Sequence, residues 1–164
     1  MPRSPSFPDF TPTSGELIRS CAARWGHKTF AVLGDERLTY AEAEARSAEV
    51  AKGLLASGAG KGTRVGLLAP NSPEWIIGWL GATRIGCVVA LLNTYSKAGE
   101  LAWILRHADV QVLLTVDAHL GHDYLERLEQ AAPLLATRTH ERILIESLPY
   151  LRTIWTWGTG TRPW

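Results

Sequence analysis

The segment Ser57-Gly58-Ala59-Gly60-Lys61-Gly62-Thr63 carries the residue types best suited to phosphate chemistry. Its glycines would let backbone amides close on an anion, its lysine would reach the phosphates, and its threonine would meet their metal. Such a loop works when a strand delivers it and a helix begins just after it, so that amides and a helix N-terminus face the charge. Here the order is inverted: a helical pattern runs in, a β-prone run leaves, and Leu55 stands where the motif opens with glycine. The expected structure is a helix-to-strand turn. A second candidate, Gly158-Thr159-Gly160-Thr161-Arg162-Pro163, has the glycine and threonine content of an anion cradle, without the lysine or the following helix that phosphate needs.

The remaining chemically capable side chains are sparse. His119 and His122, with Asp123 beside them, do not make a ligand set, because no partnered Cys or His stands elsewhere at metal spacing; a polar helix start is expected. His107 follows Arg106 in the last turn of a helical pattern, where cations complement the helix dipole. Cys21 and Cys87 fall on apolar faces and read as core residues. No Ser, His and acid combination has the glycine frame of a nucleophile elbow. Residue types and spacing therefore assign no catalytic, cofactor-binding or metal-binding residue.

The elements that would position these groups alternate in type. Pro2, Pro5, Pro8 and Pro12 keep regular structure out of the start, so residues 1–13 read as a flexible arm. Leu17, Ile18, Cys21, Ala22 and Trp25 recur at helical spacing from Ser14 to Gly26. Thr29 to Leu33 and Arg37 to Thr39 flank a glycine turn as a hairpin. Thr39 with Glu42 has capping-box spacing and opens a helix whose expected apolar stripe is Ala41, Ala45, Ala48, Ala51 and Leu55. A strand follows at Arg64 to Leu68. Asn71-Ser72-Pro73-Glu74 then starts a helix that runs to about Ile85. Cys87 to Leu92 reads as a strand buried on both faces, Lys97 to Ala108 as a helix, and Val110 to Thr115 as a strand. Asp123 with Glu126 begins a helix carrying Leu125, Leu128, Ala132 and Leu135 on one face, and Arg142 to Ile145 and Leu151 to Thr156 are the last β-prone runs. From residue 39 onward helix and strand alternate, which predicts an α/β fold with a mostly parallel, doubly wound sheet.

Composition sets the outer limits. The 164 residues carry 17 Lys and Arg against 16 Asp and Glu, a net charge of +1 that leaves no basic surplus for nucleic acid or anionic lipid. Hydrophobic residues at 46% and charged residues at 20% are those of a folding chain rather than a disordered one. The run from Trp75 to Ser96 has Arg84 as its only charge, but it divides at Gly86 into a helix and a β-branched strand, so no transmembrane segment is expected. Two cysteines and no apparent leader suggest a reduced, cytoplasmic setting. Three of the seven tryptophans, Trp155, Trp157 and Trp164, crowd the end.

Six stretches together resemble one family. Leu38-Thr39-Tyr40-Ala41-Glu42, Gly62-Thr63-Arg64-Val65-Gly66-Leu67, Asn71-Ser72-Pro73-Glu74-Trp75, Gly81 to Val89, Leu92-Asn93-Thr94 and Glu100-Leu101 are similar, in order and spacing, to the N-terminal portion of AMP-forming acyl-CoA synthetases. These belong to the adenylate-forming superfamily, and the fatty-acyl-CoA ligases look closest. The resemblance covers about residues 14 to 156. It implies an enzyme that activates a carboxylic acid, here a fatty acid, with ATP and Mg²⁺ to an acyl-adenylate and passes it to coenzyme A. The family's phosphate loop, its aromatic-Gly-x-Thr-Glu segment, its ribose-binding aspartate and its mobile-domain lysine have no counterpart in this sequence.

The expectation is accordingly residues 14–164 as an incomplete N-terminal α/β subdomain, truncated before the phosphate loop, inactive alone and binding no cofactor by itself. The carboxylic acid, ATP and coenzyme A are partners of the full-length enzyme, and self-association through an exposed apolar edge is expected of the fragment. Two alternatives stand beside it: a non-catalytic binding or regulatory module that keeps the ligase fold, and a nucleotide kinase using Gly58 to Thr63, which resembles the adenylate kinase phosphate loop.

Overall fold

The computed structural model describes residues 11–137 and 143–164. Four helix starts follow local chemistry. Helix α1 (Ser14–Trp25) is capped by the Thr13 side chain, which accepts from the Glu16 amide. A hairpin of β1 (Thr29–Leu33) and β2 (Glu36–Thr39) leads into α2 (Tyr40–Ala56), where Thr39 and Glu42 form the reciprocal capping box. Strand β3 (Arg64–Leu68) precedes α3 (Pro73–Arg84), whose start is Ser72 followed by Pro73. Next come β4 (Val88–Leu91), α4 (Ala98–His107), β5 (Val112–Val116), and a short hairpin of β6 (Ala118–His119) and β7 (His122–Asp123). Helix α5 (Tyr124–Ala131) is capped by Asp123, and after a 3₁₀ turn at Pro133–Thr137 the last strand is β8 (Thr153–Trp157).

Strands β4, β3, β5 and β8 form, in that order, one parallel sheet. Side chains along a strand point alternately to its two faces, and the core divides accordingly. Val65, Leu67, Val112 and Leu114 face α2 and α3 with Leu54 and Ala82, while Leu68 and Leu113 face α4 and α5 with Leu101, Leu105, Leu125 and Leu128. Helices on both faces confirm the doubly wound α/β fold. Ile18 of α1 and Leu38 of the first hairpin pack with Ala43 of α2 and Ile77 and Leu80 of α3 in a smaller cluster. Among the described residues no helix is long and apolar enough to cross a membrane.

Three expectations are corrected. In α2 the buried positions are Ala43, Ser47, Ala51 and Leu54, and Leu55 is 54% exposed. An alanine-rich helix has a weak apolar stripe, so the neighbouring helix decides its rotation. Gly81 of α3 approaches α2 so closely that a Cβ there would lie 2.7 Å from Val50 Cγ1. Arg84 of α3 donates to the Ser47 hydroxyl at 2.9 Å and the Glu44 carbonyl at 3.0 Å, turning a polar residue inward. Strand β4 is an edge rather than a strand buried on both faces: among the described residues only β3 pairs with it, and Val88 and Leu91 are more than half exposed. In the β-prone run 142–145, Arg142 lies outside the described residues and the rest forms no strand; Ile145 makes a single antiparallel bridge with Leu148. Of the arm 1–13, residues 1–10 also lie outside the described residues.

Candidate functional site

In an open parallel sheet, ligands bind beyond the carboxyl ends of the strands, where successive connections leave toward opposite faces. That point lies between β3 and β5. The chain leaves β3 toward α3 on one face and leaves β5 toward α5 on the other. A cleft of about 410 Å³ opens there, lined by Asn71 and Trp75 after β3, Asn93 and Tyr95 after β4, and His119 and His122 after β5.

Local hydrogen bonds hold these walls. The Tyr95 amide donates to Asn93 Oδ1 at 2.9 Å, and Arg127 of α5 donates to the carbonyls of Thr94 at 2.6 Å and Ser96 at 3.2 Å. His119 and His122 face each other across the β6–β7 hairpin, not on a helix. The polar helix start expected there is supplied by Asp123 alone, which accepts from the Glu126 amide at 2.8 Å.

The glycine-rich segment after β8 does cradle an anion, and the anion belongs to the chain itself. Asp117 Oδ2 accepts from the amides of Thr159 at 3.0 Å and Gly160 at 2.9 Å, while its Oδ1 accepts from Ala118 at 2.8 Å. Successive backbone amides turned toward one point form such an anion site. The Gly160 amide, aided by those of Ala118 and Thr159 and opposed by partial burial, holds the Asp117 carboxyl below its ordinary value.

The other singled-out residues are dispersed. Ser57 to Thr63 joins α2 to β3 at the amino end of the sheet, opposite the cleft, with Gly58 and Gly62 at φ +86° and +84°. It is the helix-to-strand turn that the inverted order predicts. His107 stacks on Trp103 with ring centroids 4.5 Å apart. Cys87 is buried, donates its thiol to the Gly60 carbonyl at 3.3 Å, and has its ionisation pushed up by burial; Cys21 is only half-buried. Sequence reasoning passed over Asp117 and Tyr95, and quoted Asn93 only within the family resemblance, with no role at a site. The signal available for Asp117 was its place at the end of an apolar strand, where α/β folds put ligand-facing side chains.

Chemically the cleft offers amides, imidazoles and aromatic faces that can orient a ligand. Arg127 is committed to loop carbonyls, and Arg162 pairs with Asp123 at 3.1 Å and Glu129 at 3.0 Å. The cradle amides are committed to Asp117. These residues therefore do not fit the phosphates of a nucleotide or an accompanying metal; among the described residues no group of three or more His, Cys, Asp or Glu side chains could hold a metal ion.

Comparison with known proteins agrees with the fold. The chain is 30% identical over 144 residues to YngI of Bacillus subtilis (strain 168), whose name describes an acyl-CoA synthetase; the match takes in 87% of this chain and 26% of YngI. It is 33% identical over 107 residues to the medium/long-chain-fatty-acid–CoA ligase FadD6 of Mycobacterium tuberculosis, covering 65% of this chain and 18% of FadD6. The crystal structure of the N-terminal domain of FACL13 from Mycobacterium tuberculosis superimposes with a TM-score of 0.68 and 26% identity, over 89% of this chain and 34% of that one. The chain thus spans about a quarter or less of the length of these two curated relatives. The model of the family described as AMP-binding enzyme matches residues 18–156, and the chain belongs to that family.

Proposed function

We propose that this chain is the N-terminal α/β part of an acyl-CoA ligase, one that activates a carboxylic acid, most simply a fatty acid, with ATP to an acyl-adenylate and transfers the acyl group to coenzyme A. The carrying observation is the pairing of a family match over residues 18–156 with a switch-point cleft whose neighbouring cations and cradle amides are already committed inside the chain. Transition-state charge on a transferring phosphate needs preorganised cations and amides aimed at it, and among the described residues no Lys or Arg lines this cleft. Residues 1–164 by themselves are therefore inactive, and Mg²⁺, ATP and coenzyme A are held by parts of a ligase that this chain does not contain. A cytoplasmic setting goes with this reading, supported by the two unpaired cysteines.

The test is ATP–pyrophosphate exchange by purified residues 1–164 with a panel of fatty acids. No exchange above the blank is expected; exchange dependent on any of the acids would refute the inactivity. A second reading, that the fragment self-associates, is favoured by β4, where Val88 and Leu91 stand on an unpaired sheet edge. Sedimentation of wild type against Val88→Lys should show a loss of association, and a strictly monomeric wild type would end that reading.

A further inference from the structure

The hairpin of β6 and β7 has different neighbours on its two sides. His119 and His122 line the cleft. Asp117, just before the hairpin, and Asp123, its last residue, hold residues 158–164. Asp117 takes the Thr159 and Gly160 amides, and Asp123 takes Arg162 Nη2 at 3.1 Å. The same segment reaches α5 twice more, through Arg162 Nε to Glu129 at 3.0 Å and through the Trp164 indole N–H to Glu129 at 3.1 Å.

The fit is specific to Asp117. Gly158 stands at φ +141°, and a Cβ there would lie 2.2 Å from Asp117 Cγ; a Cβ on Gly160 would lie 2.9 Å from Asp117 Cβ. The backbone of Asp117 also ties both structures together. Its amide donates to the Trp157 carbonyl at 3.1 Å, and its carbonyl accepts from the Tyr124 amide at 2.9 Å, closing the hairpin. Strands of two residues each do not hold a hairpin in place by their own ladder. The position of this one depends on what its flanking residues grip.

We infer that residues 158–164 are a strap that fixes the His119–His122 hairpin as a wall of the cleft, with Asp117 as the positioning residue, so that releasing the strap loosens that wall. The coupling needs no ligand to exist, because Asp117 grips the strap through its carboxylate and ties the hairpin to β8 and α5 through its backbone.

Hydrogen exchange on the 1–164 chain tests this at neutral pH, comparing wild type with Asp117→Ala and Arg162→Ala. Losing charge-assisted bonds should speed exchange of the Thr159 and Gly160 amides about tenfold in Asp117→Ala. Residues 118–123 should speed up with them, and the His119 and His122 imidazole resonances should move, while α1 and the first hairpin stay unchanged. Arg162→Ala should act in the same direction more weakly, and it carries the test if Asp117→Ala does not fold. Unchanged strap amides, or a loosened strap beside an unchanged hairpin and unmoved histidine resonances, would overturn the inference.

Discussion

Trp157 seats its indole directly on Gly78: a Cβ at that glycine would come within 2.8 Å of the Trp157 ring and 3.2 Å of Leu67 Cδ1. Two residues along the same strand, Trp155 meets Gly53 of α2 in the same way, at 2.8 Å. The crowded tryptophans of the last strand are thus knobs that fill the grooves left by two helix glycines. Glycine inside a helix costs about 0.5–1 kcal/mol relative to alanine, and here the indoles occupy the space that those missing side chains leave.

Replacing Gly78 with alanine should therefore destabilise the chain, although it raises helix propensity. Overpacking a filled site costs about 1–3 kcal/mol and exceeds the propensity gain. The comparison is Gly99→Ala in α4, where a new Cβ meets nothing within 4 Å. Urea unfolding should give a lower midpoint for Gly78→Ala and a midpoint equal to or above wild type for Gly99→Ala.

Arg84, with its side chain 8% exposed, donates to Glu44 Oε1 at 2.6 Å, to the Glu44 carbonyl and to the Ser47 hydroxyl. Truncating one partner of a buried pair leaves polar groups without water or bonds. Arg84→Ala should lose about 2–3 kcal/mol, reduced from the fully buried case because Glu44 reaches solvent. A double-mutant cycle with Glu44→Gln should show positive coupling; additive losses would mean that the pair contributes nothing of its own.

Thr39 closes the capping box of α2, accepting from the Glu42 amide at 3.2 Å while Glu42 Oε2 accepts from the Thr39 amide at 2.8 Å. Thr39→Ala should cost about 1 kcal/mol in thermal or urea unfolding. Thr39→Ser, which keeps the acceptor oxygen, should recover most of the loss.

The acid response has a defined sign. Asp117 is held below its ordinary value chiefly by the Gly160 amide, and Glu42 below its own chiefly by the Thr39 amide. A group whose folded value is depressed binds fewer protons folded than unfolded, so its contribution is complete above its unfolded value and disappears as pH falls through the folded one. The window opens at the ordinary carboxyl values, about 3.9 for an Asp such as Asp117 and about 4.3 for a Glu such as Glu42, and extends below them. Asp117→Asn should flatten the part of the acid unfolding curve that Asp117 supplies and leave the Glu42 part in place, as followed by tryptophan fluorescence between neutral pH and pH 2.

Much of the architecture is legible in short windows of residues. Thr39 with Glu42, Ser72 with Pro73, and Asp123 before Glu126 specify helix starts, because a cap satisfies amides only two or three positions away. Gly34 and Gly86 mark turns for the same local reason: both have positive φ, at +61° and +79°. The alternation of helices and strands then restricts the topology to a right-handed parallel sheet. The site was less legible. The Gly158 to Gly160 stretch could be recognised as an anion cradle by composition, but its occupant, Asp117, lies more than forty positions earlier in the chain.

What the sequence determined by itself was therefore the fold class, the helix starts, the turn at Ser57 to Thr63 and the family resemblance, all carried by contiguous residues or by their order. Tertiary structure alone decided which side of α2 is buried, that β4 is an edge, that His119 and His122 oppose each other on a hairpin, and that Trp155 and Trp157 sit on Gly53 and Gly78. The physical reason is range. Caps and turns are settled by bonds within a few residues, whereas the rotation of an alanine-rich helix, the place of a strand in its sheet and the partner of a carboxylate depend on surfaces that only the folded chain brings together.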